Sequence, residues 1–241
     1  MLRDQILGKL DHDPLFRWRG ENVTRIENLS DIVFALAFGM LVSSSSSPQN
    51  YTQLLDYLWQ IIPVIAGFSI LVLIWNAHFV FFRRYGVADN WIIVLNAGLL
   101  LMALFIAYPL RFIFDGLFGY LLGAIAGDWS RMKQTGMDFQ ASASIVGLFA
   151  IGYAVTFFIL ALMYGHALRK KDVLNLNETE LALTKRTVWH YRLDVVTAFV
   201  VASLAVLTPI GPFAACLLGA SGLFAPVLRW RFPVTNTASQ E

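Results

Sequence analysis

Apolar residues gather into six runs along the chain, and short polar segments separate them. The runs are near or above the about 20 residues that an α-helix needs to cross a hydrocarbon core. The pattern therefore predicts an all-α membrane protein with six transmembrane helices, at residues 29–42, 58–82, 91–114, 145–168, 195–207 and 212–228.

Two segments between these runs are open to interpretation. Residues 116–127 are apolar and either extend the third helix outward or lie as a separate piece in the interface. Residues 169–192 form the longest polar stretch, and we expect a short amphipathic helix there around residues 178–189. We divide the chain into a cytoplasmic N-terminal segment (1–24), a six-helix transmembrane domain (25–231) and a cytoplasmic tail (232–241).

Composition supports a membrane protein. Hydrophobic residues make up 57% of the chain and charged residues 14%, against about 25% charged residues in an average soluble domain. The single cysteine, Cys216, excludes an intrachain disulfide. No histidine, cysteine or carboxylate cluster has metal-ligand spacing, so we expect neither a metal nor another cofactor.

The basic residues predict the orientation in the membrane. Of the 18 lysines and arginines, all but Arg111, Arg131 and Lys133 fall on one side if the N-terminus is cytoplasmic. Because short cytoplasmic loops are enriched in Lys and Arg, we expect a multi-pass protein of the cell membrane with both termini in the cytoplasm.

The entry to the first span carries unusual chemistry. Arg25, Ser30 and Asp31 precede a continuous apolar helix. Charged groups are costly inside a membrane and tend to pair within a helix bundle. The expected partners are polar side chains of the second and third spans: Trp75, His78 and Asn96.

These residues resemble a known family. Arg25-x-x-x-Leu29-Ser30-Asp31 is similar to the Arg-x-x-x-Phe-Ser-Asp signature of the transmembrane protein 175 family of potassium channels, with Leu29 in place of Phe. Trp75-x-x-His78 and the later Asn96 also resemble that family's second and third helices. The resemblance covers nearly the whole chain and is to the six-helix bacterial members.

The resemblance implies a homotetramer in which the first helix of each subunit lines a central potassium pore. It implies that Arg25, Ser30 and Asp31, with Trp75, His78 and Asn96 as neighbours, form a polar network that holds this helix. It also implies that Leu36, five residues after Asp31, forms the apolar constriction.

The periodicity of the first span is compatible with a pore. Ile32, Leu36, Met40 and Ser43 follow at steps of three and four residues, so they share one helix face. Taken alone, such a stripe more commonly indicates helix packing. A ring of apolar side chains can gate by excluding water, but it cannot coordinate potassium as backbone carbonyls do, so we expect modest selectivity for potassium over sodium.

Two other functions stay open. Asp31 and His78 could form the charged centre of a proton-linked secondary transporter, or the chain could be a scaffold without transport activity. An enzyme is not expected: Ser221 lies in a Gly-x-Ser-Gly sequence, but no histidine follows it, as intramembrane serine proteases would require. The basic residues are dispersed along membrane edges, so we expect anionic lipid as a partner and no nucleic acid.

Overall fold

The chain was analysed as a computed structural model that describes residues 15–20, 22–43, 49–59, 61–127, 129–130, 136 and 138–233. Most of the predicted N-terminal segment, most of the predicted tail, Arg131 and Lys133 lie outside these residues. Within the described ranges, six helices are long and apolar enough to cross a membrane. The predicted all-α fold with six spans is therefore confirmed.

The helix bounds differ from the hydropathy pattern mainly at the ends of the spans. In chain order the elements are α1 (Arg25–Ser43), α2 (Tyr51–Trp59), α3 (Ile61–Tyr85), α4 (Asn90–Ala126), α5 (Phe139–Arg169), α6 (Glu178–Leu207), a 3₁₀ segment (Gly211–Leu223) and α7 (Phe224–Arg231). The 3₁₀ segment and α7 together make the sixth span. The short helix α2 precedes the second span and was not separated from it by hydropathy.

Residues 116–126 belong to α4, which settles one open alternative: they extend the third predicted span outward. Asp89 caps the beginning of this helix and Gly127, with φ of 71°, ends it in the left-handed conformation. At 1.5 Å per residue its 37 residues make a rod of about 55 Å. The helix therefore projects well beyond a hydrocarbon core of about 30 Å.

The amphipathic helix expected around residues 178–189 is not a separate element, and this prediction was wrong. Residues 178–207 form one helix, α6. It begins at a capping box in which the Asn177 side chain and Glu180 each accept a hydrogen bond from the other's backbone N–H. No glycine or proline interrupts the sequence from there to Leu207, so the polar first half continues directly into the apolar second half.

The sixth span departs from a regular α-helix. The 13 residues from Gly211 to Leu223 adopt 3₁₀ geometry, although such runs rarely exceed four residues. Gly211, Gly219 and Gly222 lie in this stretch, and glycine has a low α-helix propensity. At about 2.0 Å per residue the 3₁₀ segment extends about 26 Å, so it covers most of the membrane with few residues.

The helices pack in a chain of neighbours. α1 packs against α3 and α4, α4 also packs against α5, α5 against α6, and α6 against the 3₁₀ segment and α7. α1 therefore lies at one edge of the bundle. The largest buried cluster is rich in aromatic residues, including Phe34, Phe81, Tyr85 and Tyr164. It lies near the end of the bundle where α3 and α5 end and α6 begins.

Residues 15–20, which we call the N-terminal strap, cross this same end of the bundle. The backbone N–H groups of Arg19 and Gly20 donate to the carbonyl oxygen of Arg83 at 3.0 and 3.1 Å. The Arg19 guanidinium donates to both carboxylate oxygens of Glu180, at 2.9 and 2.7 Å, and to the carbonyl oxygen of Leu174 at 2.8 Å. The strap thus joins α3 to the beginning of α6.

Asp89 ties the α3–α4 connection to the end of α5 at the same end of the bundle. Its carboxylate accepts from the Ile92 N–H at 3.0 Å and from Lys170 Nζ at 2.5 Å, and His166 Nε2 lies 2.7 Å away. Burial alone would raise the pKa of this carboxyl, but the hydrogen bonds from Lys170, Ile92 and His166 outweigh it and hold the pKa well below its ordinary value.

We expect Gly20→Ala to destabilise the protein. A Cβ at residue 20 would collide with the backbone carbonyl oxygen of Phe82, and such overpacking typically costs about 1–3 kcal/mol. Gly165→Ala is the matched control, because a Cβ there meets no atom within 4 Å. Thermal unfolding of the detergent-solubilised protein should show a lower midpoint for Gly20→Ala alone; equal midpoints for the two variants would contradict the close approach.

Asp89→Asn should remove a pH-dependent part of the stability. Since the folded pKa is depressed, the carboxylate stabilises the protein above the ordinary carboxyl pKa of about 3.8, and this contribution is lost as the pH falls below that value. Asparagine keeps the helix cap, so the difference in unfolding midpoint between wild type and variant should be largest near neutral pH and shrink in acid. Asp138→Asn, at the α5 cap, should show a smaller difference at neutral pH; an equal difference would argue against the basic partners.

Candidate functional site

The beginning of α1 is built around a capping arrangement. The Thr24 backbone N–H and hydroxyl donate to Glu27 Oε1 at 2.8 and 3.0 Å, and the Glu27 N–H approaches Thr24 Oγ1 at 3.4 Å. This Thr-x-x-Glu pairing satisfies backbone donors that the first helical turn would otherwise leave open. It also directs the Glu27 side chain inward.

A buried ion pair between Glu27 and Arg83 joins α1 to α3. Arg83 Nη2 donates to Glu27 Oε2, and both side chains are largely buried. Arg83 Nη1 donates to the carbonyl oxygen of Gly20 at 2.6 Å. Removing one partner of such a pair leaves an uncompensated buried charge, at a cost of about 3–5 kcal/mol. The ion pair therefore restrains the first turn of α1.

A hydrogen bond between Ser30 and Asn96 joins α1 to α4. Asn96 Nδ2 donates to Ser30 Oγ at 2.9 Å, and Ser30 Oγ donates to the carbonyl oxygen of Ile26 at 2.8 Å. Both side chains are buried. Two of the polar residues expected to act together are thus in direct contact.

Asp31 makes a second contact with α3. Trp75 Nε1 donates to Asp31 Oδ1 at 2.9 Å. Unlike Ser30, Asp31 is exposed in the single chain. Its carboxylate lies at the boundary between the anchored face of α1 and the face directed away from the bundle.

His78 is buried next to this contact region. Its ring packs on Phe34 and Phe82, with centroids 5.8 and 4.8 Å apart. Among the described residues neither ring nitrogen makes a hydrogen bond of good geometry, although the Asn96 side chain lies close enough to interact with the ring. His78 lines a crevice of about 220 Å³ together with Glu27, Asp31 and Arg83, which is large enough to admit water to the imidazole.

Arg25 does not join this network within the single chain. It is exposed, and it forms no ion pair with any described residue. Each residue turns an α-helix by about 100°, so Arg25 lies about 200° from Glu27. Because Glu27 points into the bundle, Arg25 points outward, and Arg83 of α3 supplies the buried cation instead.

The predicted pore-lining residues lie on the uncovered side of α1. Ile32 is 66% exposed and Leu36 56% exposed, Met40 is half-buried and Ser43 is exposed. On the opposite side Phe34, Ala37 and Leu41 are buried against the bundle. The helix is thus anchored along one face only.

Glu27 and Arg83 were not among the residues expected from sequence to hold this helix. A signal for Glu27 was present in the Thr24-x-x-Glu27 spacing, which is typical of a helix start. Arg83 follows Glu27 by 56 residues and is one of two adjacent arginines at the end of α3. Nothing local distinguishes it from Arg84, so its role required the fold.

Comparisons with known proteins agree on one family. Residues 25–107, from α1 into α4, match the family described as "Endosomal/lysosomal potassium channel TMEM175". A relative from Marivirga tractuosa, named "Potassium channel", is 34% identical over 179 residues, which cover 73% of this chain and 72% of that protein. Relatives with these names are channels and not enzymes.

A solved structure extends the similarity to the whole bundle. It is a crystal structure of a variant of the potassium channel MtTMEM175 in complex with a nanobody–MBP fusion protein. The two folds superpose with a TM-score of 0.74 at 29% sequence identity, over 92% of this chain and 97% of the other. Together with the anchored first helix and its Ser30-Asp31 pair, these similarities show that the chain belongs to the TMEM175 family of potassium channels.

Proposed function

We propose that the protein is a passive channel for monovalent cations, with potassium preferred over sodium, and that four copies assemble with α1 lining a central pore. The observation that carries this proposal is the one-sided anchoring of α1. Polar contacts to α3 and α4 hold one face, and the other face has no covering helix among the described residues. The relatives named as potassium channels support the permeant ion.

Exposed apolar residues alone would fit a lipid-facing helix equally well, since Leu101 of α4 is also 66% exposed. The uncovered side of α1 differs because it includes the Asp31 carboxylate. An ionised carboxylate facing lipid is costly, whereas one facing water or another subunit is not. Gly39 and Ala35 are also exposed on this side, and small residues permit close approach of helices. These features favour a subunit interface around a wet pathway.

Leu36 is the residue we propose for the constriction. It lies about 7.5 Å along the helix from Asp31 and is flanked on the same face by Ile32 and Met40. Four leucines around an axis would exclude water from a narrow ring and open only when the ring widens and wets. Selectivity from such a ring is modest, because no carbonyl oxygens replace the hydration shell of the ion.

The orientation follows from the charges. Arg83, Arg84, Arg169 and Arg229 lie at the end of the bundle that the N-terminal strap crosses, which we call the basic edge. Since cytoplasmic loops carry the excess of Lys and Arg, we propose that the basic edge is cytoplasmic in the cell membrane and that both termini lie on that side.

Leu36→Ala should raise potassium flux several-fold, because a smaller side chain widens and wets the ring. Flux would be measured in liposomes that contain the purified protein, with and without a proton gradient and with sodium replacing potassium. Leu101→Ala is the matched control, since it removes the same side chain from a similarly exposed position on α4 (66% against 56% for Leu36). Native mass spectrometry of the same preparation should show a tetramer.

Three results would contradict the proposal. Equal fluxes for Leu36→Ala and Leu101→Ala would exclude a constriction at Leu36. Flux that requires a proton gradient and falls in Asp31→Asn or His78→Gln would instead indicate a coupled transporter. Absence of flux in both wild type and Leu36→Ala would indicate a scaffold protein without transport activity.

Ser30→Ala should destabilise the protein by about 1–3 kcal/mol, because Asn96 Nδ2 would be left buried without an acceptor. Ser69→Ala is the matched control: Ser69 Oγ also donates to a carbonyl within its own helix, that of Ile65 at 2.8 Å, but it is exposed. Thermal unfolding should separate the two variants. The double variant Ser30→Ala, Asn96→Leu should regain part of the loss, and a further additive loss would show that the two side chains do not depend on each other.

A further inference from the structure

A second pocket lies at the basic edge, away from α1. It has a volume of about 330 Å³ and is formed where the end of α3, the first half of α6 and α7 meet. Arg84 comes from α3, Arg186 and His190 from α6, and Arg229 from α7. Three guanidinium groups from three separate elements therefore surround one pocket.

The lining has the chemistry of an anion site. No carboxylate lines the pocket among the described residues. His190 has an acidic neighbour one turn deeper in α6: the buried Asp194, whose Oδ2 lies 3.6 Å from His190 Nε2. Planar guanidinium groups bind phosphate oxygens in a bidentate manner. The Thr187 hydroxyl adds a neutral polar group.

Existing contacts hold two of these arginines in place. The Arg84 guanidinium lies 4.8 Å from the centre of the Phe16 ring in the N-terminal strap. Arg186 Nη2 donates to the carbonyl oxygen of Phe232 at 2.7 Å, which joins α6 to the end of α7. Both side chains are only partly exposed, so little side-chain entropy remains to be lost when an anion binds. The pocket is pre-organised.

The position of the pocket suits a lipid headgroup. Leu183, Tyr191 and Leu228 supply an apolar floor, while Trp189 and Trp230 are exposed on neighbouring positions of α6 and α7. Tryptophans are enriched at the membrane–water interface, and basic pockets between membrane helices on the cytoplasmic side bind phosphorylated headgroups. The apolar floor, the basic rim and the two exposed tryptophans all fit a phospholipid headgroup.

We propose that this pocket binds a phosphate group, presented by an anionic phospholipid of the adjoining leaflet or by free phosphate, and thereby bridges α3, α6 and α7. The site is independent of the pore proposed around α1. It requires neither conduction nor tetramer formation.

Native mass spectrometry of the full-length protein in neutral detergent tests the site. A micelle without anionic lipid has no charged surface, so basic side chains outside the pocket are not drawn to it nonspecifically. Phosphatidylglycerol and phosphatidylcholine are added separately to wild type, Arg229→Gln and Arg231→Gln. Arg231 is the matched control: it carries the same charge on the same helix, is exposed, and does not line the pocket. We expect Arg229→Gln to weaken phosphatidylglycerol binding about fivefold, Arg231→Gln to leave it unchanged, and Arg229→Lys to restore most of it.

Competition with inorganic phosphate distinguishes the two sources. Phosphatidylglycerol that millimolar phosphate does not displace would identify the lipid as the occupant, and displacement would identify free phosphate as sufficient. Equal binding of the two lipids, equal losses in Arg229→Gln and Arg231→Gln, or no bound phospholipid or phosphate in wild type would overturn the proposal. Arg229 is exposed at the end of the last helix, so its replacement should leave the unfolding midpoint unchanged, and this can be checked on the same samples.

Discussion

The buried pair of Glu27 and Arg83 sets the rotation of α1, and the rest of the candidate site depends on that rotation. Glu27 lies in the first turn of α1, where the capping contacts of Thr24 already hold its carboxylate. With Glu27 directed inward, the helical period places Ser30 against α4 and Ile32 and Leu36 on the uncovered side. A rotation of α1 by one residue position, about 100°, would bury a different face. Because a buried ion pair is costly to break, it discriminates strongly against such alternatives.

Hydropathy and charge were sufficient to predict the number of spans, since a helix must satisfy its own backbone in lipid and needs a minimum apolar length. They were insufficient where a helix leaves the membrane. A hydropathy profile separates the polar half of α6 from the apolar half and so predicts a surface helix there. Continuity of the helical backbone, however, depends on helix propensity and not on apolar character. The 3₁₀ geometry of residues 211–223 was missed for a related reason: an apolar run has the same hydropathy at either pitch.

The candidate site shows the same division between local and long-range information. Ser30, Asp31, Trp75 and Asn96 were identified from sequence, and the structure brings them together in pairs across helices. Arg25 was expected in that network, and within the single chain it points outward instead. Motif spacing identifies which residue types occur together. It does not show which side of α1 meets α3, because these segments are far apart in sequence. That contact decides whether Arg25 or Arg83 is the buried cation.

The N-terminal strap has a consequence for the order in which contacts form while the chain is synthesised. Arg19 and its carboxylate partner Glu180 are separated by 161 residues, and the strap is also fastened to Arg83. Glu27 can meet Arg83 once the second span has been synthesised, and Ser30 can meet Asn96 soon afterwards. The strap can reach Arg83 at that stage, but Arg19 cannot meet Glu180 until the beginning of α6 has been synthesised, because contacts between distant segments form only when both exist. The contacts between the strap and α6 are therefore among the later ones to form in the described part of the chain, long after Glu27 and Arg83 can join the first span to the second.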